Sequence, residues 1–248
     1  MVNMLNPENI IVVTDLVKKF GDFIANDHLS FEVKKGEIFG FLGANGAGKT
    51  TAIRILCGLS FPTSGEIIVA GYDVYTQREL IKRNIGYMSQ KFSLYDDLTI
   101  GENIRFYAGI YGINPRVIKT RTSELLHRLG LEGIRNRLIR DIPLGWKQKL
   151  AFSVAVFHNP AIVFLDEPTG GVDPVTRRQF WEMINESAEN GITVFVTTHY
   201  MDEAEYCDRV SIMVDGKIAA LDTPYNLKKS YNTNDMNGVF LTLARGEK

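Results

Sequence analysis

Nothing in this 248-residue chain comes near the ~18 uninterrupted apolar residues that a membrane-crossing helix needs. Its first ten residues, MVNMLNPENI, also lack the basic start and apolar core of an export signal. Cysteine is scarce: Cys57 and Cys207 stand far apart, each inside an apolar or helical stretch. That excludes a disulfide framework and fits buried, reduced thiols. Charge of one sign is missing too. The net charge is −1 and the sequence pI about 6.4, so no global field gathers nucleic acid or anionic lipid, and no nucleic-acid partner is expected. Internal repeats, low-complexity tracts and long linkers are absent. The expectation is a cytoplasmic globular chain that reaches a membrane only through a partner.

At 45% hydrophobic residues the chain can bury a substantial core. Residues 10–14, 23–33 and 66–70 carry β-branched or alternating residues, broken by Gly21, Gly36, Gly65 and Gly71. From Asp97 onward the pattern turns helical. Thr99 and Glu102 form a capping box, and Asn114-Pro115 opens a helix predicted to run to Gly130. Residues 161–165 and 193–197 read as buried strands of a parallel sheet, whose carboxyl ends carry ligand sites. Asp215-Gly216 signals a hairpin. The fold class is therefore α/β, one domain over 1–248. Its expected parts are antiparallel β and a phosphate-loop core at 1–90, a helical part at 91–158, and the remaining core with a C-terminal segment at 159–248.

Residues 37–51 read EIFGFLGANGAGKTT, an apolar strand (38–42) entering a glycine-rich loop and then a helix predicted to extend to Leu59. Gly43, four residues, then Gly48, Lys49 and Thr50 is the spacing of a phosphate-binding P-loop. Glycines let backbone N–H groups close around phosphate oxygens, the following helix aims its positive end at them, and Lys49 adds a charge. Asn45, Gly46, Ala47 and Thr51 complete the cradle, and the Thr50 hydroxyl suits Mg²⁺. A nucleoside triphosphate is the implied ligand. A second Mg²⁺-side acid is then needed, and the run IVFLDE ends on Asp166, with Glu167 next to it and able to polarise an attacking water.

With these two motifs in place the chain resembles, over nearly its whole length, the ATP-binding subunits of ABC transporters. Gln90 in NIGYMSQ is similar to the family's Q-loop residue, 170–173 (GGVD) to its D-loop, and His199 after VTT to its switch histidine. The resemblance implies a P-loop NTPase fold with a RecA-like core, an antiparallel β subdomain and a helical subdomain. It implies ATP and Mg²⁺, with Thr50, Asp166 and Gln90 on the metal side and Lys49, Gln90, Glu167 and His199 in catalysis. It also implies a homodimer or heterodimer of ATP-binding subunits. The transmembrane permease would be a separate chain, touching residues 90–113 from the cytoplasmic face of the membrane. Phe20 in KKFGD matches the aromatic that stacks on adenine, an ordinary core phenylalanine being the alternative. Asp173 matches the segment through which two subunits sense each other, and it also suits a helix start before Pro174.

One motif departs from the family. The signature slot, usually LSGGQ, holds Ile142, Pro143, Leu144, Gly145 and Trp146, so only Gly145 is left to meet the γ-phosphate of the opposite subunit. Pro143 donates through neither side chain nor backbone, and a lost hydrogen bond to a charged group is worth ~1.5 to 3 kcal/mol. The form IPLGWKQKL and the ending NGVFLTLARG resemble ATPases of the multidrug-type group of type-2 exporters. Arg135, Arg137, Arg140, Lys147 and Lys149 nearby read as a solvated face rather than a site. An ABC ATPase without a transport role, or a slow nucleotide-gated clamp, stands as the alternative function.

Overall fold

The computed structural model describes residues 8–90 and 94–246. Two sheets carry it. Strands β1 (Asn9–Phe20) and β2 (Phe23–Lys34) pair antiparallel, and β4 (Ser64–Val69) and β5 (Tyr72–Asp73) extend them into a four-stranded sheet of order β2-β1-β4-β5. The second sheet has the order β10-β9-β3-β8-β7-β6 and contains β3 (Ile38–Gly43), β6 (Ile85–Met88), β7 (Ile162–Asp166), β8 (Thr193–Thr198), β9 (Arg209–Val214) and β10 (Lys217–Asp222). All neighbours here are parallel except the β9–β10 hairpin. Asp215 and Gly216 at its tip both take left-handed φ, 47° and 77°, as a two-residue turn matching the strand twist requires.

Strands β3, β7 and β8 are buried on both faces, so their side chains divide by parity between two cores. Phe39, Phe41, Phe164 and Phe195 face the antiparallel sheet and α1 (Lys49–Leu56), where Phe31 joins their aromatic cluster. Leu42, Val163, Leu165, Val194 and Val196 face the other way. They pack with α3 (Ile100–Ile110), α4 (Pro115–Leu129), α5 (Leu144–Ala155) and α6 (Pro174–Glu189). Helix α2 (Arg78–Asn84) precedes β6, and α7 (Pro224–Ser230) and α8 (Met236–Arg245) close the chain. Among the described residues no helix is long and apolar enough to cross a membrane.

Several local readings stand as drawn and a few shift at their ends. The capping box at Thr99 and Glu102 is formed in both directions, and α4 starts at Pro115 and stops at Gly130 with left-handed φ of 66°. Cys57 and Cys207 are buried and free. The helix after the glycine loop ends at Leu56 instead of Leu59, because Gly58 turns left-handed and Leu59 lies exposed. Strand β1 outruns the predicted 10–14 by passing through irregularities around Asp15, where φ is 56°. Ala70, at φ 52°, belongs to the turn after β4. The N-terminal seven residues and 91–93, part of the expected partner surface, lie outside the described residues.

The register decides what meets at the sheet's carboxyl edge. Leu42 pairs with Thr198 and Asp166 with Thr197, so the ends of β3, β7 and β8 stand side by side. Each runs directly into a motif: the glycine loop, Glu167, and His199.

Candidate functional site

The glycine loop connects β3 to α1 and bounds a cavity of about 380 Å³ whose lining includes Asn45, Gly46, Gly48, Thr51, Gln90 and Glu167. Backbone packing fixes two of its glycines. At Gly48, φ is 97° and a β-carbon would lie 2.2 Å from the Ala25 carbonyl oxygen; at Gly43 it would lie 2.7 Å from that of Met213. Asn26, on β2, locks the loop from outside by donating its amide to the Gly48 carbonyl at 3.1 Å. Ala47 is buried against the aromatic core, and Gly46, also left-handed at 85°, has open space beside it.

Lys49 is buried, its ammonium donating to the carbonyls of Gly43 at 2.7 Å and Ala44 at 3.1 Å. Burial lowers its pKa, and the neighbouring Glu167 opposes that shift. Thr50 donates its hydroxyl to Asp166 Oδ1 at 3.2 Å, and Thr197 donates to the same oxygen at 2.7 Å. Asp166 is thereby held rigidly. Burial pushes its carboxyl up, while the two hydroxyls pull it down.

Glu167 is where the three strand ends converge. Its Oε2 accepts from Gln90 Nε2 at 2.9 Å and lies 3.1 Å from His199 Nδ1; its Oε1 lies 3.4 Å from the Lys49 ammonium. The backbone there is left-handed, φ 49°, a strained conformation for a non-glycine residue. It is held by Glu167 N–H, which donates to both the carbonyl and the hydroxyl of Thr197, each at 3.1 Å. A nearly buried carboxylate ringed by an amide, an imidazole and an ammonium can accept a proton from a polar group placed in the cavity.

Other predicted residues lie apart from this group. Phe20 is 55% exposed, which rules out the core role, and it does not line the cavity; Lys18 Nζ sits 4.8 Å over its ring. Its hairpin partner Phe23 lines the cavity instead. Asp173 caps α6, accepting from the N–H groups of Val175 and Thr176 at 3.0 Å each. Gly145 lies in the first turn of α5, against Thr176, and Pro143 supplies that helix with no side-chain cap. Arg140, 57% exposed, pairs with Asp97 as a solvated face would, whereas Lys147 is only 17% exposed and lies 3.2 Å from Asp96. Sequence reading missed Phe23, Asn26, Thr197 and Gln148, whose amide donates to Gly170 at 3.0 Å. Only the alternation of β2 hinted at the first two.

Among the described residues no three His, Cys, Asp or Glu side chains converge as a closed metal cage. The oxygen donors present are the Thr50 hydroxyl, the Asp166 carboxylate and the amide oxygen of Gln90, whose Nε2 is turned to Glu167. That set suits an oxygen-loving ion which takes its remaining ligands from phosphate and water.

Residues 26–170 match the sequence model of the ABC transporter family. The chain is 50% identical over 228 residues to the probable multidrug ABC transporter ATP-binding protein YbhF of Escherichia coli K12. That match covers 92% of this chain but only 39% of YbhF, so the chain spans about two fifths of that relative's length. Against the bacitracin transport ATP-binding protein BcrA of Bacillus licheniformis, identity is 39% over 225 residues, covering 90% of this chain and 72% of BcrA. The fold matches that of a dimeric ATP-binding cassette in a post-hydrolysis state bound to ADP and Pi, with TM-score 0.78 and 26% identity over 86% of this chain and 98% of the other. The family match spans more than half of the sequence, so the chain belongs to the ABC transporter family.

Proposed function

We propose that this chain binds and hydrolyses ATP to drive transport through a transmembrane partner on whose cytoplasmic face it sits. The observation that carries this is the convergence of Lys49, Gln90 and His199 on the Glu167 carboxylate beside the glycine loop. The loop N–H groups and Lys49 take the phosphates, and Phe20 or Phe23 flanks the base. Glu167 accepts a proton from the attacking water while His199 and Gln90 orient it. Thr50, Asp166 and Gln90 would hold Mg²⁺, which when bound neutralises charge on the β- and γ-phosphate oxygens.

The open side of the cavity would be closed by Gly145 of a second subunit, identical or paralogous, and the dimeric solved relative supports that arrangement. The three stretches 1–90, 91–158 and 159–248 then act as the parts of one ATPase domain. Likeness to the multidrug-associated and bacitracin-transport proteins supports export as the direction. Tyr95 is half exposed beside Phe106, an aromatic pair that suits a docking helix. The test is co-purification from membranes with a multi-spanning subunit, followed by ATPase assays of the reconstituted pair. Tyr95→Arg should remove the partner's effect on turnover while sparing ATP binding. ATPase indifferent to every co-purified membrane subunit would favour the non-transport alternative.

A further inference from the structure

Glu203 is wholly buried on the 3₁₀ turn Met201–Tyr206 that follows His199. Its Oε1 accepts the Thr169 hydroxyl at 2.6 Å and lies 3.6 Å from Arg177 Nε, an ion pair too long to be a hydrogen bond. Its Oε2, Arg177 Nε and Trp181 Nε1 are all buried without a formed hydrogen bond. Arg177 reaches further: its guanidinium stacks 4.1 Å from the Tyr200 ring, and that ring lies 4.2 Å from the His199 ring. Arg177 also belongs to the first turn of α6, its N–H donating to the Asp173 carbonyl at 3.0 Å. The pair, with Glu203 wholly buried and Arg177 21% exposed and also 3.6 Å from Asp202, therefore joins the loop after Glu167, the start of α6, and the end of β8.

A buried ion pair is a poor source of stability, since well-packed apolar side chains do as well or better. Here burial pushes the Glu203 carboxyl up against the pull of Thr169, Thr198, Trp181 and Arg177, which all face it. What the pair can supply that apolar residues cannot is directional: Thr169 on one side, and Arg177 with its Tyr200 stack on the other.

We propose that Glu203 and Arg177 form a positioning strut that sets His199 against Glu167 and ties its placement to the Asp173 end of α6. The proposal rests on the reading of Glu167 and His199 as the hydrolytic pair. Neither strut residue lines the phosphate cavity, so both act through His199.

The test compares wild type with Glu203→Ala, Glu203→Gln and Thr169→Val in steady-state ATPase assays and by imidazole NMR. The four histidines give a sparse spectrum, and His199→Gln assigns the relevant signal. Glu203→Ala should lower kcat about tenfold with KM for ATP within about twofold, and Glu203→Gln should recover part of the loss. The His199 resonance should move while those of His28 and His127 stay. If Glu203→Ala fails to fold, Thr169→Val, which removes only the hydroxyl, should give the same pattern in milder form. An unmoved His199 resonance, or kcat unchanged in all variants, overturns the strut. A wild type without ATPase activity overturns the functional reading instead, and the His199 resonance still decides the strut.

Discussion

A β-carbon on Gly145 would stand 2.6 Å from Thr176 Cγ2, so the start of α5 and the start of α6 touch at van der Waals limits. Gln148 reinforces that contact by donating to the Gly170 carbonyl, and Asp173 holds the Thr176 hydroxyl at 2.6 Å. The segment proposed to reach across a dimer and the segment proposed to sense it are thus braced within one subunit.

Gly145→Ala should destabilise the protein by about 1–3 kcal/mol, the usual penalty for overpacking a tight contact. Thr176→Ser removes Cγ2 and keeps the hydroxyl that Asp173 binds. The double variant should therefore recover most of the loss, which thermal or urea unfolding of all four proteins would reveal. Simple addition of the two single effects would show that the contact is not the cause.

Pro143 stands at the N-cap of α5 with φ −59° and ψ 152°, a conformation serine adopts freely, and offers no side-chain bond. Pro143→Ser should add about 1 kcal/mol of stability by capping the first turn. In the proposed dimer it should also raise ATP turnover, because it would turn a hydroxyl toward the partner's nucleotide. Greater stability with unchanged turnover would confine Pro143 to a local structural part.

His158 gives the pH dependence a specific component. Its ring stacks on Tyr111 at 3.6 Å, its Nε2–H donates to the Ile85 carbonyl, and its Nδ1 is buried without a partner. Burial lowers its pKa from 6.5 to about 4. The folded state thus binds fewer protons than the unfolded state between these values. Stability is complete above 6.5 and is lost as pH falls toward 4, by up to about 3 kcal/mol. Unfolding midpoints measured from pH 7 to 4.5 should drop more for wild type than for His158→Phe, which keeps the stack. Parallel profiles would remove His158 as the cause.

The sequence exposed what neighbours along the chain decide. The glycine loop, the Thr99–Glu102 box, the Asp215-Gly216 turn and the apolar strands ending in Asp166 and before His199 all stand close to where pattern puts them. Convergence was less legible. Gln90 reaches Glu167 across 77 positions and His199 across 32, and only the order β8-β7-β6 brings them together. Phe23 lines the cavity while its cross-strand partner Phe20 does not, a distinction that nothing in the local sequence KKFGDF announces. Thr197 and Glu203 carry no local signal at all. Their roles exist only through the register of β7 against β8 and the turn after His199.

The central claim concerns Glu167, whose carboxylate gathers Lys49, Gln90 and His199 beside the glycine-loop cavity. Glu167→Gln keeps the shape and an acceptor oxygen but abolishes the base. Steady-state ATPase of wild type and Glu167→Gln, measured side by side with ATP and Mg²⁺, is the most direct test. The account predicts a loss of about 100-fold or more with ATP affinity retained, and a variant that elutes as a dimer only when ATP is present. Equal rates in the two proteins would contradict it.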